Sequence, residues 1–182
     1  MNNLLILSGI GMMLVGIIPV IYWRFRNNLG IRFFVAGAFI WLISITIKLV
    51  MDFTVTGIMS NWFLWTTGTL GLIIFSGALL GIRTGLLENG LKYIGIRKYK
   101  PLSKMNFNEG VAFGLGFGCF EAFAIGLVSF ITMLSFIMFP ETVPAGIPGL
   151  NAPTIIVLAA IIERIATVLI HIFASLLVIY SI

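Results

Sequence analysis

Five apolar runs, each about as long as a bilayer is thick, leave this chain of 182 residues few folds to choose from. A hydrocarbon core about 30 Å thick takes roughly 20 apolar residues per helix. The runs cover about residues 4–22, 31–50, 62–82, 111–139 and 153–182. The expected fold is therefore all-α, a single polytopic transmembrane domain of about five spans. Composition agrees: 9% of residues are charged, against about 25% in an average soluble domain.

The flanks refine the picture. The first run has no charge at its start and no small-residue cleavage site after it, so it is not read as a cleavable signal peptide. Trp62 and Trp65 open the third run and suit an interfacial aromatic belt; that helix is expected to extend into the cytoplasm to about residue 95. Pro140, Pro144, Pro148 and Pro153 keep the last two runs from joining into one helix. Lys48 and Asp52, one helical turn apart, read as a pair anchoring the second span at the membrane boundary.

Arg24, Arg26 and Arg32 lie in the first loop, and Arg83, Lys92, Arg97, Lys98, Lys100 and Lys104 in the third. Basic loops stay cytoplasmic, so the N-terminus is expected outside and the C-terminus inside the cell membrane. The net charge of +5 then faces anionic lipid headgroups rather than nucleic acid, for which no motif is present. Cys119, the lone cysteine, reads as a small buried hydrophobe. The chain has no paired-cysteine metal motif, no phosphate-binding loop and no nucleophile elbow, and no cofactor or metal is expected. No internal repeat of the kind that builds many transporters is evident.

Polar residues inside such runs are expensive unless they are paired or functional. Successive steps of about 100° put Gly77, Gly81, Thr84, Gly85, Glu88 and Lys92 on one face of the third helix. Glu88 and Lys92 are also spaced as a simple surface pair. In the fourth span Gly110, Gly114, Gly118, Ala122 and Gly126 recur every four residues, an arrangement that lets helices approach closely. Glu121 projects within about 20° of Gly114 and should face protein. Arg164, Thr167, His171 and Ser175 form a stripe on the fifth span, flanked by Glu163. Glu121 and Glu163 each lie roughly 15 Å into their spans and could meet near the midplane, with Arg164 neutralising one of them. The bland reading is an ion-pair cluster tying the last two spans together. A lone transmembrane histidine usually bonds a neighbouring helix, although nearby carboxylates leave metal binding open.

These residues resemble a family. Thr84-Gly-Leu-Leu-Glu-Asn-Gly-Leu-Lys-Tyr93 is similar to the Glu-Glu-x-x-Arg-Tyr segment of YhfC-type proteins, within the broad group of glutamic, CAAX-protease-like intramembrane proteases. Phe113-Gly-Leu-Gly-Phe-Gly-Cys-Phe-Glu-Ala122 resembles that family's Gly-x-Gly-His-Gly-x-x-Glu segment. Glu163-Arg164, with His171 and Ser175, resembles a later Glu-Arg helix. The likeness covers roughly residues 80–182 and implies proteolysis in which a glutamate activates water, with Glu88, Glu121 and His171 in the catalytic positions. The departures fall at the same places. Asn89 stands for the second glutamate, Lys92 for the arginine and Phe117 for the histidine. Such proteins usually continue into about two more spans carrying another histidine, whereas this sequence stops at Ile182.

Three functions follow as expectations. The first is a catalytically degenerate protein whose cleft binds a transmembrane peptide or another hydrophobic ligand. The second is an active intramembrane endopeptidase using Glu88, Glu121 and His171. The third is a proton- or ion-coupled carrier built on Glu121, Glu163, Arg164 and His171. Partners are then the lipid bilayer, the bound segment or ligand, or a second copy of the chain forming a homo-oligomer.

Overall fold

The computed structural model describes residues 2–143 and 150–181. Among them there is no strand, and five helices are long and apolar enough to cross a membrane. The long helices are α1 (Ile6–Arg26), α2 (Arg32–Met51), α3 (Gly57–Lys98), α5 (Phe107–Met138) and α6 (Ile155–Tyr180), with a single turn α4 (Lys100–Ser103) between α3 and α5. Pro140 opens a 3-10 turn after α5, and Pro153 sits just before α6. Pro144 and Pro148 lie outside the described residues.

The centre of the bundle is α5, against which α1, α2 and α6 all pack. Every residue from Gly110 to Cys119 is buried, so this helix is enclosed on all sides in its first turns. Its start is fixed by a capping box: the Asn106 side chain accepts from the Glu109 N–H at 3.0 Å, and the Glu109 carboxylate accepts from the Asn106 N–H at 2.9 Å. Small residues make the enclosure possible. A methyl group on Gly114 would press on the Ile172 backbone of α6, one on Gly126 on the Gly9 and Met13 backbone of α1, and one on Gly116 on the Phe34 backbone of α2. Gly110 and Gly118 also face α6, so four glycines of the expected α5 series, Gly110, Gly114, Gly118 and Gly126, are packing positions.

The corresponding expectation for α3 is corrected. Gly77, Gly81 and Gly85 have no neighbour within 4 Å of where a Cβ would stand. Helical periodicity names a common face but not what lies opposite it, and the buried contacts of α3 come toward its far end, through Glu88, Lys92, Gly95 and Ile96.

The connection between α2 and α3 also differs from a plain loop. Residues Asp52–Thr56 form a π-helical turn that runs straight into α3. Ile40 meets Gly95, Lys48 meets Glu88 and Asp52 meets Arg83, so the two helices run antiparallel. The pairs step together toward Gly68, whose φ of 71° and ψ of −171° interrupt the helix. The reversal falls there because glycine alone adopts that conformation cheaply. No strong breaker occurs between Asp52 and Gly57, and the helix therefore continues through the expected loop.

Candidate functional site

Helix α2 supplies the floor of the site. Phe33, Phe34, Gly37, Ile40, Trp41 and Ser44 are buried at helical spacing, and Lys48 continues the same face one turn later. From this face the Trp41 indole N–H donates to Oε2 of Glu121 at 3.1 Å, and the Lys48 ammonium donates to Oε1 of Glu88 at 2.6 Å. Ser44, between them, is fully buried, and its hydroxyl has no hydrogen-bond partner among the described residues. The boundary pair expected between Lys48 and Asp52 does not form. Asp52 instead pairs with Arg83 across the hairpin, because the returning α3 brings Arg83 to the level of Asp52 and Glu88 to that of Lys48.

Three other helices close around that floor. Arg164 of α6 donates to Oε1 of Glu121 at 3.1 Å and also pairs with Glu163. Nε2 of His171 lies 3.0 Å from Oε2 of Glu121, and its Nδ1 lies 3.3 Å from the Lys92 ammonium and 3.8 Å from Oε2 of Glu88. A neutral imidazole with its hydrogen on Nε2 satisfies both close contacts, donating to Glu121 and accepting from Lys92. The Ser175 hydroxyl donates to the His171 carbonyl at 2.7 Å.

Phe117 fills the remaining space. It is 0% exposed, its ring centroid is 4.6 Å from that of His171, and the Lys92 ammonium sits 4.0 Å above its face. The ammonium is thus held by a ring quadrupole and an imidazole lone pair. Lys92 is itself 0% exposed. The surface-pair reading of Glu88 and Lys92 is overturned: both are buried, and Glu88 takes its cation from Lys48.

Glu88, Lys92, Phe117, Glu121, Arg164 and His171 therefore converge as a unit, while Ser175 is buried one turn beyond His171 and spends its hydroxyl on its own helix. Asn89 does not converge; it is exposed on the outer side of α3 beside Ile82, Gly85 and Leu86. Thr167 spends its hydroxyl on the Glu163 carbonyl at 2.9 Å, and the Glu163 side chain is largely exposed, so it reaches the centre only through Arg164. Trp41, Ser44 and Lys48 were missed by sequence reasoning. Their signal was present: Lys48 lies two helical turns beyond Trp41 on the face that also carries Ser44. Cys119 is buried, as expected of a small hydrophobe.

A model of the YhfC intramembrane metalloprotease family matches residues 11–146. The chain belongs to that family. It is accordingly a multi-pass membrane protein of intramembrane-protease type. No curated protein and no solved structure matches it. The YhfC match takes in Lys48, Glu88, Lys92, Phe117 and Glu121 and ends before α6, which brings Arg164 and His171.

The YhfC family's description implies a metal, and the residues here do not fit one. Zinc needs several lone pairs converging at about 2 Å on one point. The two carboxylates instead approach opposite nitrogens of the same imidazole. Among the described residues no group of three or more His, Cys, Asp or Glu side chains is placed to hold a metal ion.

Proposed function

We propose that this YhfC-family protein is catalytically degenerate and serves as a binding or scaffold protein for a transmembrane segment or hydrophobic ligand. One observation carries the reading. All but one of the hydrogen-bonding atoms that a peptide-cleaving centre would aim at substrate and water are taken up internally, Oε1 of Glu88 by Lys48, both oxygens of Glu121 by Arg164, Trp41 and His171, and His171 Nδ1 by Lys92, while Oε2 of Glu88 keeps a contact of 3.8 Å with that Nδ1. Phe117 occupies the space between them and can neither donate a hydrogen bond nor carry a proton.

The guest is expected to approach between α2 and α5. An opening of about 290 Å³ there is lined by Trp41, Ile45, Lys48, Glu121, Ala124 and Val128, so an apolar wall leads to polar groups. Larger grooves on the bundle, such as that of about 650 Å³ between α1, α2 and α5, are lined by apolar side chains and glycine and suit lipid tails. Arg24, Arg26 and Arg32 at the first connection and Arg97, Lys98, Lys100 and Lys104 around α4 support residence in the cell membrane with the N-terminus outside.

A photoreactive amino acid at Val128 tests the reading in membranes. Protein or ligand adducts at Val128 that are missing at outward-facing Phe173 are the expected result, and lipid adducts alone at both positions would sink it. Proteolysis is the second reading, supported by family membership and by the position of His171 between Glu88 and Glu121. It requires that Glu88→Gln, Glu121→Gln or His171→Ala abolish cleavage of a membrane peptide by a folded protein. Cleavage unchanged in all three would dismiss it.

A further inference from the structure

We propose that the polar centre is closed to divalent metal ions because Lys48, Lys92 and Arg164 occupy the cation positions around Glu88, Glu121 and His171. A buried carboxylate needs positive charge close by, and either a metal ion or a protonated side chain can supply it. Here three cationic side chains stand around the buried Glu88 and the partly buried Glu121, so the demand is met from within the chain. With Glu163 also on Arg164, three cations stand against three carboxylates, and no excess negative charge is left to draw in a divalent ion.

Atom by atom the exclusion is close to complete. Oε1 of Glu88 is held by Lys48, Oε1 of Glu121 by Arg164, and Oε2 of Glu121 by both Trp41 and His171. The imidazole could offer a metal only its Nδ1 lone pair, and the Lys92 ammonium faces that atom at 3.3 Å. Lys92 is thus the group a metal would have to displace. It is held between the imidazole and the Phe117 ring and is wholly buried. Oε2 of Glu88 is the carboxylate oxygen left with only a long contact, 3.8 Å from Nδ1, and one oxygen does not make a zinc site.

The experiment uses the full chain, purified in detergent from cells grown with added zinc. Elemental analysis should find zinc far below one ion per chain, and cobalt(II) should give no ligand-field absorption of a nitrogen- and oxygen-bound site. Chelator should leave the thermal midpoint unchanged. Lys92→Met, which keeps the length of the stem and removes the charge, should bind cobalt(II) at least about tenfold more tightly than the parent, the scale on which neighbouring groups tune metal sites. Should that variant not fold, Lys48→Met uncovers Glu88 and carries the same test. Equimolar zinc in the parent chain that is lost in His171→Ala overturns the proposal. Equal cobalt affinity in parent and folded variant overturns the role given to the lysines. Neither result bears on the crosslinking test above.

Discussion

Oε2 of Glu121 is shared between two donors from different helices, the Trp41 indole at 3.1 Å and His171 Nε2 at 3.0 Å, so a single oxygen on α5 ties α2 to α6. With Arg164 on the other oxygen, this carboxylate is the point through which three helices are held in register.

Removing that charge should therefore cost more than a surface substitution. Glu121→Gln leaves Arg164 with the largely exposed Glu163 as its remaining carboxylate, and a loss of about 1–3 kcal/mol is expected, as for a removed hydrogen-bond partner of a charged group. Arg164→Gln added to it should recover part of that loss, and unfolding in lipid or mild detergent of the four proteins of the cycle measures the coupling.

The Lys48 and Glu88 pair makes a parallel case between α2 and α3. Lys48→Met alone should destabilise the protein, whereas Lys48→Met with Glu88→Gln, which leaves neither charge unpaired, should be milder than the sum of the two single changes. Additive losses would mean that the ion pair contributes nothing of its own.

Two glycine substitutions should behave oppositely. Gly116→Ala drives a methyl group into the Phe34 backbone and should cost at least about 1–3 kcal/mol, the range for overpacking. Gly81→Ala meets open space in a helix and should gain about 0.5–1 kcal/mol. Thermal unfolding of both variants side by side distinguishes a packing glycine from an idle one.

Gly68→Ala isolates backbone strain, since nothing lies within 4 Å of the added methyl group. A left-handed φ of 71° imposed on alanine should cost about 1–3 kcal/mol locally. Faster proteolysis between residues 60 and 75, with the rest of the bundle intact, is the expected signature.

Phe117→Ala should open a cavity beside Lys92 and His171 and cost about 3–5 kcal/mol. Phe117→Leu, which keeps most of the volume, should cost clearly less. Equal midpoints for the two variants would show that the ring's face toward Lys92, rather than its bulk, matters.

How far the sequence revealed this arrangement depended on the kind of interaction. The helices, the inward direction of Glu121 and the close approach of α5 to α6 at Gly114 and Gly118 were legible, because each follows from the period of one helix. The partners of Lys48 were not legible. A single lysine near the end of an apolar run has the pattern of a surface anchor, and only the antiparallel return of α3 brings Glu88 to its level, 40 residues later in sequence. The same blindness explains Gly77, Gly81 and Gly85, whose common face was correctly drawn and has nothing packed against it. Asn89 fell next to Glu88 in a motif, yet adjacent residues on a helix point about 100° apart, and it faces outward.

The span of 43 residues between Glu121 and Arg164 has a consequence for biogenesis. While the ribosome is still making α6, helix α5 must wait with an acid in its middle and neither Arg164 nor His171 to meet it. At several residues per second that wait lasts seconds. Release of α5 into lipid before α6 arrives would strand the charge, so insertion of the two helices should be coupled, with α5 retained at the membrane-insertion machinery until its partner has been synthesised.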